Sequence, residues 1–444
     1  MKEEDVAFSL QWGDEGTVDV ILGLQWGDEG KGKIVDIVAP KYKIVSRAQG
    51  GPNAGHTIKF KNFEIVLHTI PSGICHEGTK NVIGNGVVLD AAILVFKEMN
   101  QLISKGMVTF EQIKERLFIS KKTHLILPSQ VMLDIISEKM KGNDKIGSTL
   151  KGISPTYQDK YGRNGLRIKD ILSPDFMMKY QALKTKHDHI AKSHGYVLED
   201  QIFTNGETFA NKEEQFFKAI EVIKQLNLID SEIFLNQTKE PMLAEGAQGT
   251  MLDIDFGSWP FVTSSNTTAG GICTGLGIAP NKIKNIFGVF KAYCTRVGSG
   301  PFPTELFNET GEILQKKGNE FGSTTGRPRR CGWLDLPALR YAIMLSGVNY
   351  LAMTKADVMN NFEQVLVCTK YRLADGTEVE MCSPDDMENV EAIYTAFEGW
   401  ASCTNDDNLQ KYVDFIEQTT GIPIVMVGSG PKREEIILRD YNRK

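Results

Sequence analysis

The stretch Val18–Pro40, VDVILGLQWGDEGKGKIVDIVAP, decides the fold of this chain. An apolar β-branched run leads straight into a glycine-rich turn and then a helix-compatible run, which is typical of a strand, a phosphate-binding loop and a helix. Gly27, Gly32 and Lys33 have the GxxxxGK spacing, at which backbone N–H groups converge on phosphate oxygens at a helix N-terminus. The Ser or Thr that usually follows this lysine and holds Mg²⁺ is an isoleucine here. Asp28 inside the loop is therefore the candidate metal ligand.

The heptapeptide LQWGDEG occurs twice, at Leu10–Gly16 and again at Leu24–Gly30. The first copy follows the polar run KEEDVAFS, and neither the lysines nor a helix-compatible run comes after it. It therefore lacks the groups that a triphosphate cradle requires. We predict that residues 1–16 are a non-catalytic N-terminal extension and that residues 17–444 form the working domain.

Strand-like and helix-like runs alternate along the chain. The predicted strands are Val18–Leu24, Tyr42–Ser46, Glu64–His68, Asn81–Ile83, Leu125–Leu127, Ile286–Tyr293, Tyr350–Thr354, Gln364–Thr369 and Ile424–Val427. The predicted helices include Ala91–Lys105, Pro128–Lys141, Ser173–Ser193, Lys212–Leu226, Leu336–Ser346 and Leu409–Thr420. This alternation favours an α/β protein: a single large domain with a mostly parallel central sheet flanked by helices, a P-loop-like phosphate site and helix-rich insertions. The polar, helix-rich segment 129–239 is predicted to be such an insertion.

The composition limits the class of protein. No run approaches the roughly 18 apolar residues of a membrane span, and acidic residues stand at the N-terminus where a signal peptide has basic ones. A net charge of −6 gives no basic footprint for nucleic acid. Seven cysteines without a CxxC pair fit a reducing compartment. These features predict a cytoplasmic, enzyme-sized protein that binds neither membrane nor nucleic acid.

Two further loops carry side chains that suit chemistry on anions. Gly50–Thr57, GGPNAGHT, places His56 in a glycine-rich loop just after a strand, where an imidazole serves acid–base or charge-stabilising work. Gly322–Arg330, GSTTGRPRR, offers hydroxyls and three arginines. Because the guanidinium fork binds carboxylate or phosphate, this loop predicts an anionic small substrate.

Three histidines stand close together in the charged run KTKHDHIAKSH: His187, His189 and His194. Histidine clusters also occur at metal sites, so two interpretations compete. The charged surroundings favour a solvated helix face over a metal site.

The segment Thr354–Asp357, TKAD, follows the strand-like run NYLAM and is close to the NKxD guanine reader of GTPases. In that reader the Asp carboxylate accepts the N–H donors on N1 and N2 of guanine, which adenine does not offer. Its position after a strand, in a chain with a phosphate loop, indicates a guanine nucleotide site.

Taken together, these residues closely resemble the adenylosuccinate synthetase family from about Val18 to the C-terminus. The motifs that carry the resemblance are QWGDEGKGK, GGPNAGHT, EGAQGT followed by LDIDFGSWPFVTSSNTTAGG, TRVGSGPFPTEL, GSTTGRPRRCGWLD, TKAD and GSGP. The resemblance implies a GTP-dependent ligase that joins IMP to L-aspartate through 6-phosphoryl-IMP, the committed step from IMP toward AMP. It also implies Mg²⁺ as cofactor and a homodimer.

By motif position, the resemblance also implies the site residues. Asp28 takes the proton from N1 of IMP, His56 stabilises charge on the transferring phosphoryl group, and Lys31 and Gln248 complete the catalytic set. For GTP it implies Gly27, Glu29, Gly30, Lys31, Gly32, Lys33, Gly55, His56, Thr57, Lys355, Asp357, Gly428, Ser429, Gly430 and Pro431. For IMP it implies Asp28, Asn53, Thr149, Gln248, Thr263, Arg327 and, from the neighbouring subunit, Arg163. For L-aspartate it implies Thr324, Thr325, Arg327 and Arg329, and for Mg²⁺ Asp28 and the backbone of Gly55.

The chain departs from the family pattern at Ser148–Pro155, STLKGISP, where the family has a more glycine-rich form. Ser154 replaces a glycine there, so a positive φ at this residue would carry strain. The first LQWGDEG copy also has no counterpart in the family pattern.

Two other classes of protein share part of this pattern. A GTPase switch also needs a phosphate loop and a TKxD reader, but it has no use for the GGPNAGHT and GSTTGRPRR loops. A catalytically inactive paralogue acting as a scaffold would have no need of Asp28, His56 and Arg327. The sequence favours the ligase and leaves the inactive paralogue open.

Overall fold

A computed structural model describes residues 12–60, 63–142, 145–322 and 326–439 of the 444-residue chain. Within these ranges the strands are β1 Val18–Gly23, β2 Ile44–Arg47, β3 His56–Phe60, β4 Phe63–Leu67, β5 Lys80–Ile83, β6 Val88–Leu89, β7 Leu117–Ser120, β8 His124–Leu125, β9 Asn227–Ile229, β10 Met242–Glu245, β11 Ile283–Lys291, β12 Cys294–Arg296, β13 Arg330–Gly332, β14 Leu334–Asp335, β15 Tyr350–Thr354, β16 Gln364–Arg372, β17 Glu378–Val379, β18 Glu391–Glu398, β19 Ile424–Gly428 and β20 Ile436–Leu438. The α-helices are Lys31–Val38, Asn100–Ser104, Phe110–Arg116, Pro128–Met140, Ile153–Tyr161, Phe176–Ser193, Phe209–Ile223, Ser231–Gln237, Ala269–Leu276, Glu309–Lys317, Leu336–Ser346 and Asp407–Thr420. A π-helix spans Ile93–Met99.

A ten-stranded sheet in the order β20-β19-β15-β11-β1-β10-β2-β5-β7-β9 forms the centre of the described part of the chain. Neighbouring strands run parallel throughout, except that β20 pairs antiparallel with β19 at one edge. Parallel neighbours require a crossover connection, which the alternating helices supply. The predicted α/β class with a mostly parallel central sheet is confirmed.

The predicted elements match most closely where the hydrophobic pattern is long. Strand β15 and the helix Leu336–Ser346 have the predicted bounds, and β1 differs by one residue. The strands predicted at 64–68 and 125–127 lie outside the central sheet, in the pairs β3–β4 and β6–β8. Periodicity identifies a strand but not its partner, which is why the sequence did not separate these pairs from the main sheet.

Five loops that carry motifs follow strands of the central sheet at one common edge. The phosphate loop follows β1, the GGPNAGHT loop β2, the EGAQGT loop β10, the TKAD loop β15 and the GSGP loop β19. Because the carboxyl ends of parallel strands meet at the same edge, these loops converge there, and ligands of open α/β sheets bind at that edge.

Part of the predicted N-terminal extension packs on the sheet. Trp12 stacks on Phe287 of β11 with ring centroids 4.6 Å apart, and Lys41 Nζ lies 5.0 Å from the Trp12 ring. Gly13 N donates to Asp19 Oδ2 at 2.9 Å. Residues 12–16 therefore cover one end of an apolar cluster on the sheet, whereas residues 1–11 lie outside the described residues.

The prediction that the histidine run is a solvated face is wrong for His187. Its side chain is 1% exposed, with Nδ1 2.7 Å from Ser129 Oγ and Nε2 2.7 Å from Asp159 Oδ2. His187 lies four residues from both Leu183 and Ala191, on the buried face of the helix Phe176–Ser193. Its charged neighbours in the sequence lie on the other faces of the helix. The composition of the run therefore does not indicate that His187 shares the buried face with Leu183 and Ala191.

The segment 129–239 is rich in helices and also contributes β9, which extends the central sheet beside β7. Its helices Pro128–Met140 and Ile153–Tyr161 carry the loop 147–152 between them. Within the described ranges, every helix is too short or too polar to span a lipid bilayer.

Candidate active site

The phosphate loop turns repeatedly through the left-handed region before the helix Lys31–Val38 begins. Gly27, Asp28 and Gly30 have φ values of 83°, 61° and 84°. Glycine adopts such values freely, and aspartate is among the few other residues that tolerate them. Glu29 holds the loop from inside, because its carboxylate accepts hydrogen bonds from Gln25 N at 3.0 Å and Gly27 N at 2.9 Å.

The two lysines of the loop make different contacts. Lys31 is 3% exposed and pairs with the buried carboxylate of Glu29. Lys33 Nζ donates to Gly430 O and Glu435 O, both at 2.7 Å. Burial lowers the pKa of Lys33 to about 8. Lys33 thus ties the phosphate loop to the loop after β19.

His56 lies at the start of β3, against the phosphate-loop helix. A Cβ added at Gly32 would lie 2.7 Å from His56 Cβ, so only glycine permits this approach. His56 Nδ1 contacts Glu245 Oε1 and lies 2.8 Å from Arg47 Nη1. Glu245 also accepts from Arg47 Nη1 at 3.1 Å and from Ser72 Oγ at 2.7 Å.

These contacts fix which nitrogen of His56 faces a ligand. Burial, reinforced by Arg47, lowers the pKa of His56 to about 4, so the ring is neutral near pH 7. Because an arginine donates and a carboxylate accepts, the neutral ring has two possible tautomers. It accepts from Arg47 at Nδ1 with its hydrogen on Nε2, or it donates from Nδ1 to Glu245. When the ring is protonated, Nδ1 donates to Glu245 and Nε2 still carries a hydrogen. His56 therefore offers an Nε2–H donor when the ring is protonated and in the neutral tautomer that accepts from Arg47.

Three polar side chains from separate loops lack partners beside this loop. Asn53 Oδ1, both amide atoms of Gln248 and Thr263 Oγ1 are buried without a hydrogen-bond partner among the described residues. Each buried unsatisfied group costs about 1–3 kcal/mol, so a cluster of them is typical of a ligand site. Gln248 also has a φ of 56°, a strained backbone of the kind that concentrates at functional sites.

The loop Ser148–Gly152 is held from the helix Pro128–Met140. Asp134 Oδ1 accepts from Ser148 Oγ at 2.8 Å, and Asp134 Oδ2 accepts from Gly152 N at 2.9 Å. Glu138 accepts from Ser148 N at 3.2 Å. These carboxylates keep the loop against the cavity, which Thr149 lines.

The strain considered at Ser154 does not arise. The positive φ values of this segment fall on Leu150, at 56°, and on Gly152, at 72°. Ser154 lies in the first turn of the helix Ile153–Tyr161, and its hydroxyl lies 2.8 Å from Ser264 Oγ. The extra hydroxyl therefore links this segment to the VTSSNTT loop.

Two arginines of the loop 322–330 reach the cavity. Arg329 Nε donates to Asp28 Oδ2 at 2.8 Å and Nη1 donates to Glu320 Oε2 at 2.6 Å. Arg327 Nη2 donates to Gly147 O at 2.8 Å. A guanidinium therefore stands directly beside the predicted base, whereas Thr324 and Thr325 lie outside the described residues.

The TKAD loop is joined to the phosphate loop. Thr354 Oγ1 donates to Glu29 O at 2.6 Å. Lys355 has a φ of 60°, and its Nζ lies 3.0 Å from Glu320 Oε1. Asp357 follows in a short 3₁₀ turn, where burial raises the pKa of its carboxyl and Lys355 opposes that rise.

One cavity of about 1320 Å³ brings most predicted site residues together. Its lining includes Gly27, Asp28, Gly30, Lys31, Gly32, Lys33, Asn53, Gly55, His56, Thr57, Thr149, Gln248, Thr263, Arg327, Arg329, Lys355, Gly428, Gly430 and Pro431. Of the predicted residues that the structure describes, four do not line it: Glu29 braces the phosphate loop, Asp357 and Ser429 are partly buried, and Arg163 is on an exposed turn.

The predicted Mg²⁺ ligands fit the ion's chemistry. Among the described residues no group of three or more His, Cys, Asp or Glu is placed to hold a metal. Asp28 and Gly55 both line the cavity beside the phosphate loop. Mg²⁺ at nucleotide sites takes one or two carboxylates and completes its shell with phosphate oxygens and water, so one carboxylate and one backbone carbonyl suit it.

Sequence reasoning missed the residues that support the predicted ones. Glu245 stands first in EGAQGT, a motif that marks the loop without indicating its contact with His56. Glu320 lies in KKGNEF, where nothing distinguishes it from a surface carboxylate, yet it is 0% exposed. No local pattern reveals either residue, since their partners are distant in sequence.

The fold and the site define an α/β enzyme of the nucleotide-dependent kind, in which the phosphate loop, Lys355 of the TKAD loop and the arginines Arg327 and Arg329 line one cavity. A family model described as Adenylosuccinate synthetase matches residues 20–437. The adenylosuccinate synthetase of Cytophaga hutchinsonii is 53% identical over 450 residues, covering 99% of this chain and 98% of the relative. That of Flavobacterium psychrophilum is 52% identical over 446 residues, covering 98% and 99%. The structure of fully ligated adenylosuccinate synthetase from Plasmodium falciparum matches with a TM-score of 0.86 at 35% identity, covering 96% of this chain and 100% of that chain.

The chain therefore belongs to the adenylosuccinate synthetase family. It is a GTP-dependent ligase that joins IMP to L-aspartate in the synthesis of AMP.

Proposed function

We propose that this ligase works through 6-phosphoryl-IMP, with Asp28 as the base and all three substrates bound in the one cavity. The observation that supports this most is the set of unpartnered polar groups on Asn53, Gln248 and Thr263. They line the same cavity as the phosphate loop and Arg327. A GTPase switch, which binds a nucleotide alone, has no need of this second polar pocket.

The chemistry follows from the position of Asp28. Its carboxylate removes the proton from N1 of IMP, which makes the six-position oxygen nucleophilic. That oxygen attacks the γ-phosphorus of GTP, and the bond to the β,γ-bridging oxygen breaks to release GDP. The amino group of L-aspartate then attacks C6, and the oxygen leaves as inorganic phosphate. GTP is consumed because a phosphorylated oxygen leaves far more readily than a carbonyl oxygen.

Positioning and electrostatics supply most of the catalysis in such a transfer. His56 donates Nε2–H to the transferring phosphoryl group, and Lys31 adds positive charge beside it. Gln248 hydrogen-bonds the purine with its amide group. Arg327 and Arg329, with Thr324 and Thr325, bind the carboxylates of L-aspartate.

We also propose Mg²⁺ as the cofactor, held by Asp28 and the backbone of Gly55. The bound ion supplies charge neutralisation on the phosphates of GTP. The donor set supports this assignment, because an Asp carboxylate and a backbone oxygen are hard ligands.

We further propose a cytoplasmic homodimer in which Arg163 reaches the neighbouring active site. Arg163 stands on an exposed turn with a φ of 62° and does not line the cavity of its own chain. The place of Arg163 outside its own cavity supports its assignment to the IMP site of a neighbouring copy of the chain.

An isotope experiment tests the proposed intermediate. IMP labelled with heavy oxygen at the six position is incubated with GTP, Mg²⁺ and L-aspartate, and each component is omitted in turn. We expect adenylosuccinate only in the complete mixture and the label in the released inorganic phosphate. Adenylosuccinate without label in the phosphate contradicts the intermediate, and no adenylosuccinate at all contradicts the ligase activity.

A further inference from the structure

Glu320 is a fully buried carboxylate that three cationic side chains surround. Lys291 Nζ lies 3.0 Å from both of its oxygens. Lys355 Nζ lies 3.0 Å from Oε1 and Arg329 Nη1 lies 2.6 Å from Oε2. The cations come from β11, the TKAD loop and the loop 322–330, so one carboxylate joins three parts of the molecule.

This environment keeps Glu320 ionised. Burial alone would raise its pKa, but Lys291, Lys355 and Arg329 hold the pKa well below the ordinary value. The hydroxyl of Tyr293 donates to Oε1 as well. The carboxylate is therefore a fixed negative charge in the wall behind the cavity.

Glu320 determines how Arg329 is presented. Its contact fixes Nη1, while Asp28 takes Nε at 2.8 Å, so the guanidinium is held at two of its three nitrogens. A guanidinium fork recognises a carboxylate only in its own plane. The orientation of this plane, and its distance from the proposed base, depend on Glu320.

Glu320 also holds the residue that begins the guanine reader. Lys355 adopts a φ of 60°, which costs a non-glycine residue about 1–2 kcal/mol and persists only where the surroundings fix it. Its Nζ is fixed by Glu320 and by Gly318 O at 2.5 Å. The turn Ala356–Met359, which carries Asp357, starts directly from this residue.

We propose that Glu320 is a positioning residue that couples the L-aspartate site to the guanine site. Among the described residues it does not line the cavity, so it acts through Arg329 and Lys355 and touches no substrate. The inference rests on the proposed function, because the roles of Arg329 and Asp357 are assigned there.

Glu320→Gln tests the proposal, because glutamine keeps the shape and removes the charge. We expect the KM for L-aspartate to rise about tenfold and the KM for GTP about fivefold, since charged hydrogen bonds to both presenting residues are weakened. The KM for IMP is expected to stay within about twofold, because of the proposed IMP residues only Asp28 is hydrogen-bonded to Arg329 among the described residues. ITP, which lacks the exocyclic amine of guanine, is expected to compete better with GTP than it does in the wild type.

A second variant separates positioning from stability. Glu320→Gln alone leaves Lys291 buried and unpaired, which lowers the melting temperature. In the double variant Lys291→Met with Glu320→Gln this buried cation is gone. Among the described residues, Lys291 Nζ has hydrogen bonds to Thr295 Oγ1 and Glu320 and a ring contact with Tyr293, so the change removes few other contacts. We expect the melting temperature to recover in part while both KM values stay raised.

Glu305→Gln serves as the matched control. Glu305 is a partly buried carboxylate that accepts from Arg330 Nε at 2.8 Å, and neither residue lines the cavity. Its kinetic constants are expected to match the wild type. Unchanged KM values for L-aspartate and GTP in a folded Glu320→Gln protein overturn the proposal, as does full kinetic recovery in the double variant. Absence of ligase activity in the wild type contradicts the proposed function instead.

Discussion

Asp28 is placed where a proton-abstracting base at a phosphate site has to act. It lies inside the phosphate loop and it lines the cavity that Asn53, Gln248 and Thr263 also line. We expect Asp28→Ala to lower kcat by about 10³-fold or more, the upper part of the range for loss of a general base. Initial rates of adenylosuccinate formation give the value.

Asp28→Asn is the control for this prediction. Asparagine keeps the side-chain volume and tolerates the left-handed backbone, but it has no basic carboxylate. It should therefore be as inactive as the alanine variant while its melting temperature stays within a few degrees of the wild type. Near-normal turnover in either variant would remove Asp28 from the role of base.

Lys33 gives the site a pH dependence. Burial lowers its pKa to about 8, so the ammonium loses its proton as the pH rises through that value. Because kcat/KM reports the ionisation of the free enzyme, kcat/KM for GTP should fall above about pH 8. Lys33→Arg, which keeps its charge at every accessible pH, is expected to move this limb upward by at least one pH unit. If kcat/KM for GTP falls at the same pH in the variant as in the wild type, the ionisation belongs to another group.

Asp357 is expected to set the choice of base. Its carboxylate accepts the two N–H donors of guanine, whereas asparagine presents an N–H of its own. Asp357→Asn should raise the KM for GTP and improve the use of xanthosine triphosphate by about tenfold or more. The ratio of kcat/KM for the two nucleotides measures this, and a ratio equal to that of the wild type speaks against the assignment.

At the scale of single residues, the sequence predicts the groups that sit in motifs and misses those that support them. Asp28, His56 and Lys355 stand in strings whose spacing has a chemical meaning. Glu245 and Glu320 reach their partners across long sequence separations, and their burial is a property of the assembled sheet. Glu245 and Glu320 are identified only by their contacts and burial in the folded structure.

At the scale of elements, the two copies of the repeated heptapeptide have different structural roles because the segments that follow them differ. Trp26 in the second copy is 2% exposed, with its ring centroid 5.3 Å from that of Phe302 in the core behind the cavity. Trp12 in the first copy stacks on Phe287 instead, with the rings 9° from parallel. Only the second copy is followed by a helix, so only it presents backbone N–H groups at a helix N-terminus.

Trp12 is expected to stabilise the protein without affecting catalysis. Trp12→Ala removes the stack on Phe287 and the contact with Lys41, and because Trp12 is only partly buried we expect the free energy of unfolding to fall by about 2 kcal/mol. Chemical denaturation measures the loss, and steady-state assays should give unchanged kcat and KM values. Trp12→Phe, which keeps an aromatic ring in the stack, should lose less than half as much stability. Reduced kcat in a folded Trp12→Ala protein would mean that the first copy has a role in catalysis.

Element bounds were predictable where one hydrophobic period holds over a long run, as in Leu336–Ser346. The pattern of Ala91–Lys105 predicts a helix, and this run contains the π-helix Ile93–Met99. A π turn and an α turn share the same apolar residues and differ in hydrogen-bond register, which composition does not encode.

At the scale of the whole molecule, parallel topology explains why motifs far apart in sequence meet. Strand β1 pairs with β10 on one side and β11 on the other, so the phosphate loop stands between the EGAQGT and TKAD ends of the sheet. The alternation of strands and helices predicts that loops after parallel strands meet at one edge of the sheet. It does not predict the strand order, because that order depends on which buried faces fit together.

The proposed homodimer has a consequence that one chain alone does not show. If Arg163 acts in the neighbouring site, Asp28→Ala and Arg163→Ala proteins each form dimers in which both sites are defective. A mixed dimer then holds one site with an intact Asp28 and with Arg163 from its partner. Equal amounts of the two proteins, allowed to exchange subunits, should recover about a quarter of wild-type activity, because half of the dimers are mixed and each has one complete site.

The measurement is the activity of the mixture relative to the sum of its components, with size-exclusion chromatography to establish that dimers form. Arg167→Ala, a change on the same segment at a residue that does not line the cavity, is the matched control and should be active without complementation. If Arg163→Ala is inactive and mixing restores nothing while subunits exchange, Arg163 acts within its own chain. The turn that carries it, at a φ of 62°, would then have to move toward the cavity of its own subunit.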